Sequence, residues 1–242
     1  MPPALLHINW TEYWPFALLA FLAILYFATL PLVRRRERKI RALAQANQFV
    51  PITKPQADMK ALKTLHLGHA SFNLAYEYVA PSGFTIRFFE HSYAVHLPPA
   101  AVGTAQTVIA FKIPGLEQPS FRLALANTLD RMGAKLGMAS IVPYESTSFT
   151  QRYTLRGDVP DAVQVLFRPE VVRSLEAVPP GEEWSIESAG EWMIFFRPGT
   201  LFEAEELGER IADAGAWLNL FYGREYYGPD NCGVHSNFRW LS

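Results

Sequence analysis

The chain's one cysteine, Cys232, stands three residues before His235 in the segment CGVH. At that spacing a thiolate and an imidazole can hold one side of a zinc ion. The other two ligands would have to come from His66, His69, His91 or His96, because His7 lies beyond a long apolar segment. A c-type haem attachment needs a second cysteine before the histidine, and none exists. The expectation is a loop thiol beside a loop histidine, with no metal and no cofactor bound.

His91 and His96 lie five apart in EHSYAVH, and His66 and His69 lie three apart. Either pair has the chemistry of a general base or a ligand. Neither has a nucleophile in a recognisable setting, since G-x-S-x-G, S-x-x-K and H-E-x-x-H are all absent. Glu90 adjoins His91, but neighbouring strand residues point to opposite faces of a sheet. These histidines therefore read as surface residues at a sheet edge, and no catalytic residue is expected. The phosphate-cradling patterns G-x-G-x-x-G and G-x-x-x-x-G-K-[ST] are also missing, which argues against nucleotide-driven chemistry.

The histidines at 91 and 96 belong to a stretch, Phe84 to Tyr93, rich in aromatic and β-branched residues, as is Thr104 to Ile113. With a Pro/Gly-containing loop between them, the two predict a β-hairpin. Residues 57–79 read as partly helical, Phe121 to Leu125 as a third strand, and Asn127 to Leu136 as a short helix. Further on, Gln151 to Arg156 reads as a strand ending at Gly157, and Asp158, Pro160 and Asp161 as a helix start. A helical turn runs from Pro169 to Leu175. A second hairpin, Trp184 to Ser188 and Glu191 to Arg197, turns at Ala189 and Gly190. Thr200 to Glu203 matches a capping box, after which Leu207, Ile211, Ala214 and Leu218 line one helical face. The fold class predicted is α+β, a mostly antiparallel sheet made of two hairpin-plus-helix halves spanning residues 57–222.

Ahead of this domain, Trp14 to Val33 is an apolar run of 20 residues. As a helix it is ~30 Å long, the thickness of a bilayer's hydrocarbon core. Eleven positions are Leu, Ile, Phe or Val, favouring insertion by roughly 3–6 kcal/mol. The run predicts a transmembrane anchor through Trp14, Pro15, Phe16, Leu22, Phe27 and Val33. A cleavable signal is excluded because the positive charge follows the run. Trp10, Tyr13 and Trp14 suit an outer aromatic belt, Thr11 a cap with Pro15 in the first turn, and Pro31 a kink. The basic collar Arg34, Arg35, Arg36, Arg38, Lys39 and Arg41 suits the lipid headgroups of a cytoplasmic leaflet. This places a short segment, 1–13, outside and everything after the collar inside a bacterial inner membrane. Residues 34–56 form the collar and an extended linker marked by Pro51 and Pro55.

Six of the 22 basic residues lie in the collar, and only two of the 23 acidic ones precede residue 42. The remainder is acidic by about five charges, which excludes a nucleic-acid surface. One cysteine fits a reducing compartment. Residues 223–242 combine Gly, Pro and Asn with Tyr226, Tyr227, Phe238 and Trp240. Such a tail has no period by which to bury itself, so those four aromatics are the expected partner anchors.

Several phrases recur together: Gln106 to Val108, Pro119 to Leu123, Tyr153 to Gly157, Leu166 to Pro169, Trp184 to Glu187, Glu191 with Trp192, and Arg197 to Gly199. On these the stretch 42–222 resembles a bacterial family with one N-terminal membrane helix and a cytosolic α+β domain of no assigned activity. The overall plan also resembles, in architecture alone, the H subunit of photosynthetic reaction centres. The resemblance implies a bacterial inner-membrane protein and no reaction; together with the anchor and the aromatic tail, the expected function is a non-enzymatic, single-pass accessory subunit of a multi-subunit membrane complex, photosynthetic or respiratory. Its partners would be the other subunits and the bilayer. A membrane-tethered enzyme or ligand sensor is the alternative.

Overall fold

The computed structural model describes residues 10–66, 70–97, 100–126, 141–143 and 146–223. Helix α1 (Trp10–Ala46) is 37 residues long and runs unbroken through Pro15 and Pro31, so Pro15 lies inside the helix and not in its first turn. The helix has two environments. From Trp14 to Phe27 every described side chain is exposed, Phe16 at 69% and Phe27 at 68%. From Ile40 onward the helix is packed, with Ile40, Leu43 and Ala44 in the core. Among the described residues no helix is long and apolar enough to cross a membrane. The side chains of Ala28, Thr29 and Leu32 lie outside the described set.

The helix ends in a turn at Gln48, φ +61°, and Phe49 N donates to Ala44 O at 2.9 Å. Eight strands follow: β1 (Val50–Pro51), β2 (Ser71–Val79), β3 (Thr85–Leu97), β4 (Ala100–Lys112), β5 (Gln118–Leu125), β6 (Tyr153–Gly157), β7 (Ser185–Gly190) and β8 (Trp192–Phe196). They form one antiparallel sheet in the order β1-β2-β3-β4-β8-β7-β5-β6. Among the described residues four short or medium helices accompany them: α2 (Thr147–Arg152), α3 (Pro160–Leu166), α4 (Pro169–Ala177) and α5 (Ala204–Tyr222).

Period-2 alternation assigns the two faces. Ile86, Phe88, Ile109, Phe111, Leu123, Leu155, Ile186 and Phe195 face the helices and the packed end of α1. Phe89, Val108, Ala110, Ala189, Trp192, Ile194 and Phe196 face the other way, under Met59, Leu62 and Leu65. Those three come from the segment after β1 and from the 3-10 turn Lys63–His66. Arg87 ties the segment down: it pairs with Asp58 and Glu77, donates to Pro55 O at 2.9 Å and lies 4.4 Å from the Trp192 ring centroid.

Both expected hairpins are present, but they do not close two separate halves. β4 pairs with β8, and β5 inserts between β7 and β6, so the strands of both halves share one sheet. Segment 71–79 is strand, where a partly helical stretch was expected. Phe72 and Tyr76 stack across it on His91 and Phe88, and a register shift between Asn73 and Tyr76, with Leu74 at φ +46°, hides the simple alternation. The helix after Gly157 is capped by Val159, not Asp158, and α5 by Glu203, with no side-chain cap bond in either. Thr200 instead accepts Thr107 N through its carbonyl at 2.8 Å, so it serves the sheet. Helix α2 was not foreseen, and the expected helix 127–136 lies outside the described residues.

Candidate functional site

Two places in the fold concentrate polar groups that the core does not require. The first is the junction of α1 with the domain. Arg36 pairs with Glu90 of β3, lies 3.4 Å from Glu203, and donates through Nη2 to Phe202 O at 2.6 Å. Lys39 pairs with Glu205 at the start of α5. Two of the six collar residues are thus engaged by the domain itself, whereas Arg34, Arg35, Arg38 and Arg41 remain exposed. The sequence reading assigned all six to headgroups; the acids that claim Arg36 and Lys39 are more than 50 residues away in the chain.

Arg36 also sets a direction. Ala44 is bonded to Phe49, whose ring lies 5.2 Å from Phe88, while Arg36, two turns earlier, meets Glu90. Moving toward the start of α1 therefore means moving along β3 toward Leu97. β3 and β4 stay paired from Thr85↔Lys112 to Leu97↔Ala100, beyond the last β2 partner, Ser92. This two-stranded arm, residues 93–97 and 100–104, contains no Asp, Glu, Lys or Arg.

The histidines divide differently from the expectation. His91 is fully buried, not a surface residue at an edge, because β3 is the third strand of eight and the turn over its far face covers it. Its ring stacks between Phe72 and Tyr93, each 5.1 Å away centroid to centroid. Neither ring nitrogen has a hydrogen-bond partner among the described residues. Burial, with a smaller contribution from His66, pushes its pKa from 6.5 down to about 4, so it is neutral. Gln106, opposite on β4, is equally buried and its amide is also unpartnered among the described residues. Glu90 does point to the opposite face, toward Arg36. His66 is exposed at the end of its turn. The side chain of His96, and His69, Cys232, His235 and the tail aromatics Tyr226, Tyr227, Phe238 and Trp240, lie outside the described residues. Among the described residues no three of His, Cys, Asp or Glu are grouped to hold a metal ion.

The second place is a groove of about 490 Å³ on the face away from the helices. Among the described residues it lies at the β7, β5 and β6 end of that face, beside the turn Lys63–His66. Arg122, Ala124, Thr154, Arg156, Ser185 and Phe196 form its floor, with Thr64 and Tyr93 among its walls. Arg122 and Arg156 are direct cross-strand partners. Among the described residues no carboxylate lines the groove. Glu187 is Arg122's partner on β7; its carboxylate accepts Lys63 N and, at 3.0 Å, Thr64 N. Thr64 Oγ1, Ser185 Oγ and Arg122 Nε are buried without a partner among the described residues. Sequence reading missed this site. The alternation that puts Arg122, Thr154, Arg156 and Ser185 on one face was legible, but the strand order that collects them was not.

Neither a protein-family model nor a curated protein matches the chain. Among solved structures, the crystal structure of the mycobacterial trehalose monomycolate transport factor A, TtfA, is similar in outline, with a TM-score of 0.48 and 14% identity. The likeness covers 77% of this chain and 96% of that one.

Proposed function

We propose that the chain is a non-enzymatic accessory subunit that α1 anchors in a bacterial inner membrane and that docks its domain, inside the cell, on a larger membrane complex. One observation carries this reading: a single helix is apolar and exposed from Trp14 to Phe27 and puts Ile40, Leu43 and Ala44 into the domain core. Exposed apolar surface on this scale is unfavourable in water and marks a membrane or protein contact. The apolar run of 20 residues has the length of a bilayer core. The four exposed collar arginines lie just past its inner end, where anionic headgroups would favour them by ~1 kcal/mol each. Because Arg36, Lys39 and Ile40 bind the helix to the domain, the domain is held at a fixed angle to the anchor. That suits a part whose work is to position surfaces. The uncharged β3–β4 arm extends toward the same side.

Purification in a mild non-ionic detergent tests the reading. The full chain is expected in the membrane fraction together with a reproducible set of integral membrane proteins. Truncation after Gly223 should leave it folded and membrane-bound but weaken retention of those proteins. A reporter fused after Ser242 should be active only as a cytoplasmic one. Recovery of the chain alone from the soluble fraction, or periplasmic reporter activity, would overturn the proposal.

A second reading, a membrane-tethered ligand sensor, is favoured by one observation, the arginine groove.

A further inference from the structure

We infer that the β3–β4 arm is a second membrane contact, its tip lying in the headgroup region of the leaflet that faces the domain. The inference rests on the reading of α1 as an anchor and adds a place where the domain itself touches lipid. Arg36 holds β3 at the level of the collar, through its pair with Glu90 and its 2.6 Å bond to Phe202 O. From Glu90 the strand continues to Leu97, ~23 Å further at ~3.3 Å per residue. From Arg36 the helix needs only ~5 Å to reach Val33, the end of the apolar run. Because β3 advances toward the start of α1, an arm inclined at ~60° to the helix still rises ~11 Å and passes that level.

Among the described residues, β2 pairs with β3 only as far as Ser92, and β8 with β4 only as far as Val108. Beyond them the two strands pair with each other, Val95 opposite Val102 and Leu97 opposite Ala100. A two-stranded ribbon is marginal in water, and exposed strand edges are ordinarily blunted with charge. This ribbon carries none: its strands read YAVHL and AAVGT, joined by Pro98 and Pro99. A lipid–water interface supplies what it lacks, an apolar layer for Val95, Leu97, Ala100 and Val102 and water or headgroups for the strand edges. The backbone sets the depth. An open ribbon cannot enter the hydrocarbon core, where the N–H and C=O groups along its edges would go unsatisfied. At the tip, Pro98 and Pro99 have no N–H to lose. The arm therefore belongs at the headgroup–acyl boundary, ~5–10 Å deep. The exposed Arg34, Arg35, Arg38 and Arg41 mark the headgroup level on α1.

Lipid-borne quenching tests this on the full chain reconstituted into phosphatidylethanolamine–phosphatidylglycerol vesicles. With Cys232→Ser removing the native thiol, a fluorophore is attached at Val102→Cys or, in a separate chain, at Val95→Cys. Ala23→Cys, midway along the apolar run, and Val165→Cys, exposed on α3, serve as references. Both arm labels are expected to lose fluorescence when the lipids are brominated near the headgroup end of their chains, and to lose less when bromine lies at the chain ends. The Ala23→Cys label should show the reverse order, and the Val165→Cys label no loss with either lipid. Either arm position suffices should the other variant fail to fold. Arm labels that behave like Val165→Cys while Ala23→Cys is quenched would overturn the inference and leave the anchor standing. Quenching at none of the positions would overturn both. Disulfide formation between two Val102→Cys chains, with the arm labels unquenched, would overturn it in favour of self-association.

Discussion

His91 shows how a residue that looks chemical in sequence becomes structural in the fold. Held between two aromatic rings with no partner for either nitrogen among the described residues, it cannot readily accept a proton. A histidine whose folded pKa lies below its unfolded one contributes fully to stability above about pH 6.5. That contribution falls away as the pH drops toward 4. The interval corresponds to roughly 3 kcal/mol. Urea unfolding followed from pH 7 to pH 4.5 should show this loss, and His91→Gln should remove it. A wild-type profile no steeper than the variant's would assign acid sensitivity to other groups. Gly157 is constrained in another way: a Cβ there would lie 2.6 Å from Val163 Cγ2 and 2.9 Å from the Ser120 carbonyl oxygen. Both are closer than packed atoms tolerate, and the carbonyl belongs to the sheet. Gly157→Ala should therefore cost about 2 kcal/mol by urea unfolding, with normal far-UV dichroism.

At the scale of the element, α1 divides the collar into two roles. Arg36 is largely buried against Glu90 and Phe202, so Arg36→Ala leaves a carboxylate and a carbonyl without their donor. A loss of about 2 kcal/mol is expected in chemical denaturation. Arg35 is exposed, and Arg35→Ala should change domain stability by no more than about 0.5 kcal/mol. Replacing Arg34, Arg35, Arg38 and Arg41 together with Glu should instead scramble the orientation read by a terminal reporter. Equal stability losses for Arg36→Ala and Arg35→Ala would dissolve the distinction. Leu43, packed at the base of the same helix, belongs with the core: Leu43→Ala should cost about 2–4 kcal/mol.

For the whole molecule, the continuity of α1 makes orientation a property that can be altered without touching any contact. One alanine inserted between Val33 and Arg34 lengthens the helix by ~1.5 Å and turns the domain by ~100° relative to the anchor. The domain should keep its melting temperature, because the junction from Arg36 onward is unchanged. Retention of the co-purifying membrane proteins should fall sharply, and a flexible glycine-serine insertion of the same length should be milder. Full retention with the alanine insertion would mean that the domain's angle does not matter to its partners.

Much was fixed locally and could be read from the chain. The two hairpins, the buried face of α5 through Leu207, Ile211, Ala214 and Leu218, and the apolar run with its basic collar follow from periodicity, turn residues and length. Local patterns carry these because each depends on neighbours within one element. What lay outside such patterns needed the tertiary structure. Segment 71–79 hides its alternation behind a bulge, and Glu203 replaces Thr200 as the cap because the Thr200 carbonyl is bound to β4. The burial of His91, the capture of Arg36 by Glu90, and the meeting of Arg122, Arg156, Thr64 and Ser185 in one groove all depend on the strand order β4-β8-β7-β5-β6 or on contacts across 30 to more than 100 residues. Alternation says which face a side chain takes, but only the pairing of distant strands, driven by burial of the whole sheet, says beside whom it stands.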